Sequence, residues 1–222
     1  PNMGTMLCFL TTDCDISSEM IREALLEVTR VSFNRISVDG DTSTNDTCLV
    51  LANGLAGNPS ITSQGADYDA FLEALRALCV EMARRIAADG EGAKHMITCT
   101  VEGATDEAQA ERIAKSVISS TLTKAAIFGA DANWGRVLCA MGYSGEAFDP
   151  DKVDVSFISA ACSVAVCAQG RGLDFDEEAA KRILTEHDGT IEIDVHEGRH
   201  ACTCWGCDIT YDYIKINGDY RT

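Results

Sequence analysis

The segment 67–101 reads DYDAFLEALRALCVEMARRIAADGEGAKHMITCTV and contains the change of pattern that decides the fold class. In its first part, apolar residues recur at steps of three and four: Phe71, Leu75, Leu78, Met82 and Ile86. This spacing places them on one face and predicts an amphipathic helix from about residue 67 to 88, ended by Gly90. The apolar run 96–101 that follows predicts a strand.

The same alternation continues on both sides of this segment. Further helices are predicted from an N-cap at Ser17 or Ser18 to about Ser32, over 106–117 and over 176–186. Strand patterns occupy 6–11, 47–52, 136–141, 153–158, 163–168, 190–196 and 210–216. Because strands and helices interleave, the sequence predicts an α/β fold with α+β layers, and not a helix bundle or a β-sandwich.

Composition excludes several classes of function. The chain has 222 residues, and 18 Lys and Arg against 35 Asp and Glu give a net charge of −17. Nucleic acids and anionic membrane surfaces are bound by clustered Lys and Arg, so neither is an expected partner. No apolar stretch approaches the roughly 20 residues of a transmembrane helix. The first residue is Pro1, which suggests a processed product or a fragment.

Eleven cysteines are an unusual number for such a chain, and most lie within apolar runs. There a thiol serves as a small apolar side chain, which favours a reducing compartment. The cluster of Cys202, Cys204 and Cys207, with His196 and His200 upstream, allows two interpretations: a site for zinc or another soft metal, or a single strand in which Cys202 and Cys204 share a face.

The polar segment 39–46, DGDTSTND, allows three interpretations. Its D-x-D spacing suggests a phosphohydrolase aspartate site or a cation-binding loop. Thr44 stands where the phosphatase pattern has an apolar residue, and a calcium loop would have Gly at Thr44 and Glu at Val50. The third interpretation is a turn in which Asp, Asn, Ser and Thr side chains bond to the backbone.

Two more segments are too polar for an ordinary core. In FGADANWGR, at 128–136, Asp131, Asn133 and Arg136 could bind a polar ligand, or Asp131 and Arg136 could pair to fix the loop. The C-terminal segment 205–222 contains three tyrosines and a strand-like alternation, so we expect it to be docked instead of frayed.

The N-terminal segment PNMGTML, at 1–7, places a Gly-Thr pair directly before an apolar strand pattern. Cleavage between Gly4 and Thr5 would give Thr5 a free α-amine that can act as base for its own hydroxyl. The ordinary pKa of such an amine, about 7.7 to 8.0, allows this near neutral pH. From these residues alone, an ordinary strand threonine is the alternative.

Taken together, the segments 1–7, 37–47 (SVDGDTSTNDT), 129–136 (GADANWGR) and 205–222 resemble the ornithine acetyltransferases, or glutamate N-acetyltransferases, of arginine biosynthesis. Four long motifs occur in the family's order and cover the chain from end to end. The resemblance implies the family's N-terminal-nucleophile-like fold and a precursor that cleaves itself between Gly4 and Thr5. Residues 5–222 would then be its β chain.

The resemblance also implies the reaction and the partners. Thr5 would take the acetyl group of N2-acetyl-L-ornithine as an ester and pass it to L-glutamate in a ping-pong cycle. The β chain would associate with the α chain of the same precursor, two copies of each. The α chain would supply the oxyanion-hole donors and a substrate-binding threonine and lysine. No cofactor is expected, although acetyl-CoA is left open as a second acetyl donor.

Four substrate-binding residues follow from the resemblance, residue by residue: Thr5, Glu91, Asn217 and Thr222. Glu91 lies between two glycines, where its carboxylate can face a substrate ammonium group. Thr5 is the catalytic residue, the cleavage site is Gly4 and Thr5, and no metal site is assigned. Gly4 departs from the alanine more usual at its position. The segment 39–46 becomes a family signature with no catalytic role assigned.

The expected organisation is a nucleophile-bearing part, 1–92, which the α chain completes, and a C-terminal α/β domain, 93–222. The cytoplasm is the expected location, or the mitochondrial matrix if the source is a fungus. The alternatives are a related self-cleaving acyltransferase or hydrolase with another acyl-amino-acid substrate, and a cysteine-rich, metal-binding interaction domain.

Overall fold

The structure is a computed structural model that describes residues 2–3 and 6–220. It divides into two compact units: the first comprises 1–36 and 40–86, and the second comprises 37–39 and 87–222. The functional boundary expected at residue 92 stays a prediction.

Helices and strands alternate along the chain, which confirms the predicted mixed α/β class. In chain order the main elements are β1 (Leu7–Thr12), α1 (Ser18–Val31), β2 (Ile36–Ser37), β3 (Thr47–Ala52), α2 (Ala66–Ala88), β4 (Met96–Ala104), α3 (Glu107–Ser119), α4 (Thr121–Phe128), α5 (Trp134–Gly142), β5 (Asp154–Ile158), β6 (Ser163–Ala168), β7 (Arg171–Gly172), α6 (Glu177–Thr185), β8 (Asp188–Asp194), β9 (His200–Cys207) and α7 (Tyr211–Asp219).

In the first unit, β1 and β3 pair in parallel, with Leu7 opposite Thr47. The helix α1 begins at the predicted cap, where the Ser17 side chain accepts a hydrogen bond from the Met20 N–H. Beyond Leu75, the buried face of α2 is shifted by one residue from the predicted face. Leu78 is exposed, and Cys79 is buried in its place. This face consists of Leu75, Cys79, Ala83 and Ala87.

The second unit is built on a seven-stranded sheet in the order β2-β9-β4-β8-β5-β6-β7. Among its described registers, only β4 and β8 pair in parallel, and β9, β5 and β6 run antiparallel to their neighbours. Helix α3 packs on β4 and β9. Its N-terminus is capped by Asp106, whose carboxylate accepts from the Gln109 N–H. The face of α3 toward the sheet is fully buried and holds Ala110, Ile113, Ala114, Val117 and Ile118.

One predicted strand is wrong: residues 136–141 belong to helix α5. The Asn133 side chain accepts a hydrogen bond from the Arg136 N–H at 3.1 Å and so caps a helix. Val137, Ala140 and Met141 lie three and four residues apart and are buried on one face of this helix.

The predicted strand at 210–216 is also wrong, because Tyr211–Asp219 forms α7. The Thr210 hydroxyl accepts from the Tyr213 N–H at 3.1 Å and caps this helix. The aromatic side chains that suggested a strand are largely outside the core, with Tyr211 at 81% exposure. The short α4 was not predicted.

The cysteines at 202, 204 and 207 lie on one strand, β9, as the strand interpretation predicted. Cys202 and Cys204 lie on one strand, opposite Val101 and Cys99 of β4, and both are buried. Within the described part of the chain, no group of three or more His, Cys, Asp or Glu side chains is placed to hold a metal ion. None of the helices described there combines the length and apolar character needed to cross a membrane.

Candidate active site

Glu91 and Asn217, two of the predicted substrate-binding residues, are in direct contact. The Asn217 side-chain amide donates a hydrogen bond of 2.7 Å to Glu91 Oε2 across 126 positions of sequence. Glu91 lies in the turn between α2 and β4, and Asn217 lies in the last turns of α7. Both residues are exposed, so a ligand can reach them from solvent.

The glycines on either side of Glu91 are required by close packing. Gly92 has φ +68°, and a Cβ there would lie 2.6 Å from the Tyr213 backbone nitrogen. At Gly90, a Cβ would lie 2.7 Å from Cys207 Sγ. Larger residues would push Glu91 away from α7 and β9, so the flanking glycines noted in the sequence set the position of this carboxylate.

Helix α7 is held to the Glu91 turn at its own N-terminus. The Thr210 hydroxyl donates to the Gly92 carbonyl at 2.7 Å while it caps α7. Lys94 forms an ion pair with Asp212 at 3.5 Å. These contacts place the N-terminus of α7 beside the Glu91 turn. Two helical turns further along α7, the Asn217–Glu91 hydrogen bond adds another contact with the same turn.

Asp208 anchors the other end of the Glu91 turn. Its buried carboxylate accepts hydrogen bonds from the Lys94 and His95 N–H groups, at 2.9 and 3.1 Å, and its second oxygen bonds His95 Nδ1 at 2.8 Å. A carboxylate with this many donors is a strong hydrogen-bonding centre. Asp208 follows directly on β9, so the sheet fixes the turn that carries Glu91.

A buried lysine lies close to the same strand end. The Lys124 Nζ donates to the Cys207 carbonyl, and only 3% of the residue is exposed. Burial lowers the pKa of Lys124, while the nearby Cys207, Asp208 and Asp39 act in the opposite direction. Tyr213 Oη donates to Asp39 at 3.0 Å, which links residue 39 to α7.

The arrangement presents one exposed carboxylate, oriented by an amide donor, on a rigid support. Such a group can accept charge-assisted hydrogen bonds from an ammonium group. The sequence did not single out Asp208, Tyr213 or Lys124. Only Lys124 gives a signal, as the one charged residue in the otherwise neutral helix TLTKAAIF.

Other predicted site residues are placed differently or lie outside the description. Gly4, Thr5 and Thr222 are outside the described residues. Asp131 accepts a hydrogen bond from Asn133 at 3.0 Å, while Arg136 donates to the Leu122 carbonyl at 3.0 Å. The structure therefore gives each of these side chains another partner in place of the considered Asp131–Arg136 pair.

The segment 39–46 follows the turn interpretation. The Ser43 N–H donates to Asp46 Oδ2 at 2.9 Å, and the Ser43 hydroxyl donates to Asp46 Oδ1 at 2.8 Å. The first is the side chain-to-backbone bond expected of a turn rich in Asp and Ser, and the second joins the two side chains of the same turn.

Fold and site together define a mixed α/β protein with an exposed carboxylate–amide pair on a glycine-lined turn. A model of the ArgJ family matches residues 1–222, and the chain belongs to the ArgJ family. This confirms the resemblance drawn from the four motifs.

Similar proteins cover the whole chain. It is 52% identical over 222 residues to "Arginine biosynthesis bifunctional protein ArgJ 1" of Clostridium acetobutylicum and 52% identical over 222 residues to the ArgJ protein of Symbiobacterium thermophilum. In both cases the match takes in 100% of this chain and 54% of the relative, so the chain spans about half the length of these curated relatives.

A crystal structure of the arginine biosynthesis bifunctional protein argJ from Bacillus halodurans has the same fold. It is 42% identical to this chain, with a TM-score of 0.90, and the match covers 97% of this chain and 100% of the crystallised one.

Proposed function

We propose that this chain is the nucleophile-bearing β part of an acetyltransferase that moves an acetyl group from N2-acetyl-L-ornithine to L-glutamate. The observation that carries the proposal is the contact between Glu91 and Asn217. The family resemblance assigns both residues to substrate binding, and they lie far apart in sequence. Membership of the ArgJ family and the names of the relatives, which refer to arginine biosynthesis, support the same reaction.

Cleavage between Gly4 and Thr5 is the first step of the proposal. The Thr5 hydroxyl attacks the Gly4 carbonyl carbon, the peptide C–N bond breaks, and the nitrogen takes up the hydroxyl proton. Water then hydrolyses the ester, which leaves a Gly4 carboxylate and a free Thr5 amine. Support comes from chain lengths: full relatives are about twice as long as this chain, whereas the crystallised Bacillus halodurans chain is covered completely.

Acetyl transfer then uses Thr5 twice. Its α-amine takes the hydroxyl proton while the oxygen attacks the acetyl carbonyl, and the ornithine amine leaves with that proton. The amine of glutamate next attacks the acetyl-threonine ester, and the hydroxyl is restored. Each half-reaction exchanges one acyl bond for another, so no cofactor is needed.

Glu91 is proposed to bind a substrate ammonium group, with Asn217 and Thr222 binding other polar groups of the same substrate. Asn217 orients the Glu91 carboxylate through one oxygen. The second oxygen is then available for the ligand, whose charge-assisted bond stabilises the complex by about 1.5 to 3 kcal/mol.

The partner is proposed to be the α chain of the same precursor, in an assembly of two α and two β chains. It would supply the oxyanion-hole donors, and the loss of one such donor costs about 10²- to 10³-fold in rate. We extend the proposal to a second, acetyl-CoA-dependent synthesis of N-acetylglutamate, since the relatives are named bifunctional. Their bacterial sources favour the cytoplasm as location.

The test is expression of the complete precursor that contains this chain, beside its Thr5→Ala variant. N-terminal sequencing should find a chain that begins at Thr5 in the wild type only, and ornithine release from N-acetylornithine should require it. A wild-type precursor that stays whole, or a Thr5→Ala variant of full activity, would overturn the proposal.

A further inference from the structure

Asp46 is the acceptor for the first backbone donor beyond the proposed nucleophile. Its Oδ1 accepts a hydrogen bond from the Met6 N–H at 2.9 Å, across 40 positions of sequence. Met6 is buried and follows Thr5 directly. The signature 39–46, which had no assigned role, therefore contacts the chain one residue from the scissile bond.

The Met6 backbone is held at both of its polar groups. While Asp46 binds its N–H, the Met6 carbonyl accepts from the Thr47 N–H at 3.0 Å. Thr47 is the first residue of β3 and pairs with Leu7 in the parallel register. The side chain of Asp46 thus extends the β1–β3 ladder by one bond at the end where β1 begins.

The Asp46 carboxylate is also held in place by Ser43, independently of its bond to Met6. Its two oxygens accept the N–H and the hydroxyl of Ser43, at 2.9 and 2.8 Å. The Met6 N–H, followed by the Ser43 donors, holds the pKa of Asp46 below its usual range in spite of burial. A charged acceptor results, and charge-assisted bonds of this kind are about twice as strong as neutral ones.

Asp46 also borders both sides of the junction. With Met3, Asn34 and Thr47 it lines a surface pocket of the first unit, so residues just before and just after the Gly4–Thr5 bond flank it. A peptide group is planar and includes the Cα of the preceding residue. A bond to the Met6 N–H therefore restrains the plane to which the Cα of Thr5 belongs.

From these contacts we infer that Asp46 is a positioning residue for Thr5, acting through the Met6 backbone in both precursor cleavage and acetyl transfer. This inference rests on the proposed function of Thr5. Among the described residues, the side chain of Asp46 binds Met6 and Ser43, so its inferred action on Thr5 runs through the backbone. It fixes the direction from which the Thr5 hydroxyl starts, and misplacement of a reacting group by about 1 Å costs on the order of 10²-fold in rate.

The experiment measures the cleavage rate of the complete precursor and of its Asp46→Asn variant. The substitution removes the negative charge and replaces one acceptor oxygen with an NH₂, so the Met6 N–H either loses its acceptor or keeps a neutral, weaker one, while the side-chain volume stays. Asp13→Asn is the matched control, because Asp13 is an exposed carboxylate just beyond the other end of β1. Ser43→Ala keeps the Met6 bond and removes one support of Asp46.

We expect Asp46→Asn to slow cleavage at least about tenfold, with Ser43→Ala intermediate and Asp13→Asn unchanged. In the fraction that does cleave, kcat should fall while KM stays within about twofold, since the inferred role concerns the nucleophile and not substrate binding. If Asp46→Asn does not fold, Asp46→Glu serves instead, because it keeps the charge and displaces the carboxylate.

Cleavage of a folded Asp46 variant at the wild-type rate would overturn the inference and leave the proposed function intact. Equal slowing in Asp13→Asn would also overturn it, since that result indicates general destabilisation. Failure of the wild-type precursor to cleave at Gly4–Thr5 would instead refute the proposed function.

Discussion

Asn217 Nδ2 lies 2.7 Å from Glu91 Oε2, and the same nitrogen donates to the Tyr213 carbonyl one helical turn back at 3.1 Å. The amide is thereby fixed by its own helix and presents its second hydrogen to the carboxylate. Glu91 is held in turn by a loop of the second unit, which packs on α7 at Gly92 and is hydrogen-bonded to Asp208 at the end of β9. A small change at either residue should be measurable in substrate affinity.

Glu91→Gln should raise KM for N-acetylornithine about 10- to 100-fold, because a charge-assisted bond to the substrate ammonium is replaced by a neutral one. The glutamine oxygen can still accept from Asn217, so the fold and precursor cleavage should be unchanged. Steady-state kinetics and the fraction of cleaved precursor are the measurements. Glu192→Gln, an exposed residue on β8, is the control. Unchanged kinetics with both substrates would remove Glu91 from the binding site.

Gly92→Ala should displace α7, since the added Cβ would meet the Tyr213 nitrogen at 2.6 Å. Gly145→Ala is a matched control: Gly145 also has a positive φ, +86°, but a Cβ there meets nothing within 4 Å. Both variants carry the backbone strain of about 1 kcal/mol, and only Gly92→Ala adds the clash. We expect a raised KM in Gly92→Ala alone. Equal KM values in the two variants would show that α7 placement does not matter for binding.

The pair of His196 and Asp154 should make stability depend on pH. The hydrogen bond with Asp154, whose oxygen lies 2.8 Å from His196 Nε2, raises the pKa of His196. Burial opposes ionisation of Asp154, but hydrogen bonds from the Gln169 N–H and His196 hold the pKa of Asp154 below its ordinary value.

The raised pKa of His196 and the lowered pKa of Asp154 determine how the stabilisation by this pair changes with pH. The contribution of His196 is fully present below its unfolded pKa of about 6.5 and is lost as pH rises through its higher folded pKa. The contribution of Asp154 is present above an unfolded pKa of about 3.9 and is lost as pH falls through its lower folded pKa. Stabilisation by the pair is therefore largest at mildly acidic pH.

We expect His196→Gln to lower Tm at about pH 5.5 and to have little effect at about pH 8.5, measured by thermal unfolding. Since both side chains are more than one-third exposed, solvent screening limits the effect to less than about 1 kcal/mol. His200→Gln, at another exposed histidine, should show no such difference. An equal loss of Tm for His196→Gln at both pH values would contradict the ionic role of this pair.

Periodicity predicted the elements whose pattern is set by one buried face. The predicted strand 47–52 has the bounds of β3, and α1, α2, α3 and α6 lie within a few residues of their predicted positions. Periodicity failed at α5 and α7, where the side chains of Asn133 and Thr210 cap helices within short segments that also fit a strand pattern. The pattern of apolar and polar residues does not show whether a side chain forms a capping hydrogen bond.

The candidate site was accessible from the sequence only in part. Glu91 was assigned through the family resemblance, and the structure explains the two glycines beside it by close contacts. The pairing with Asn217 depends on where α7 lies in three dimensions, and no spacing predicts it. Asp208 and Lys124 form buried contacts between segments that are distant in sequence, and such contacts cannot be predicted from the spacing of residue types either.

The most direct measurement of the central claim is mass spectrometry of the Thr5 peptide. The cleaved enzyme, with both chains present, is incubated with N-acetylornithine in the absence of glutamate and then digested. We predict one acetyl group on Thr5, which disappears when glutamate is added and N-acetylglutamate forms. An enzyme that turns over while its Thr5 peptide never carries an acetyl group would contradict the claim.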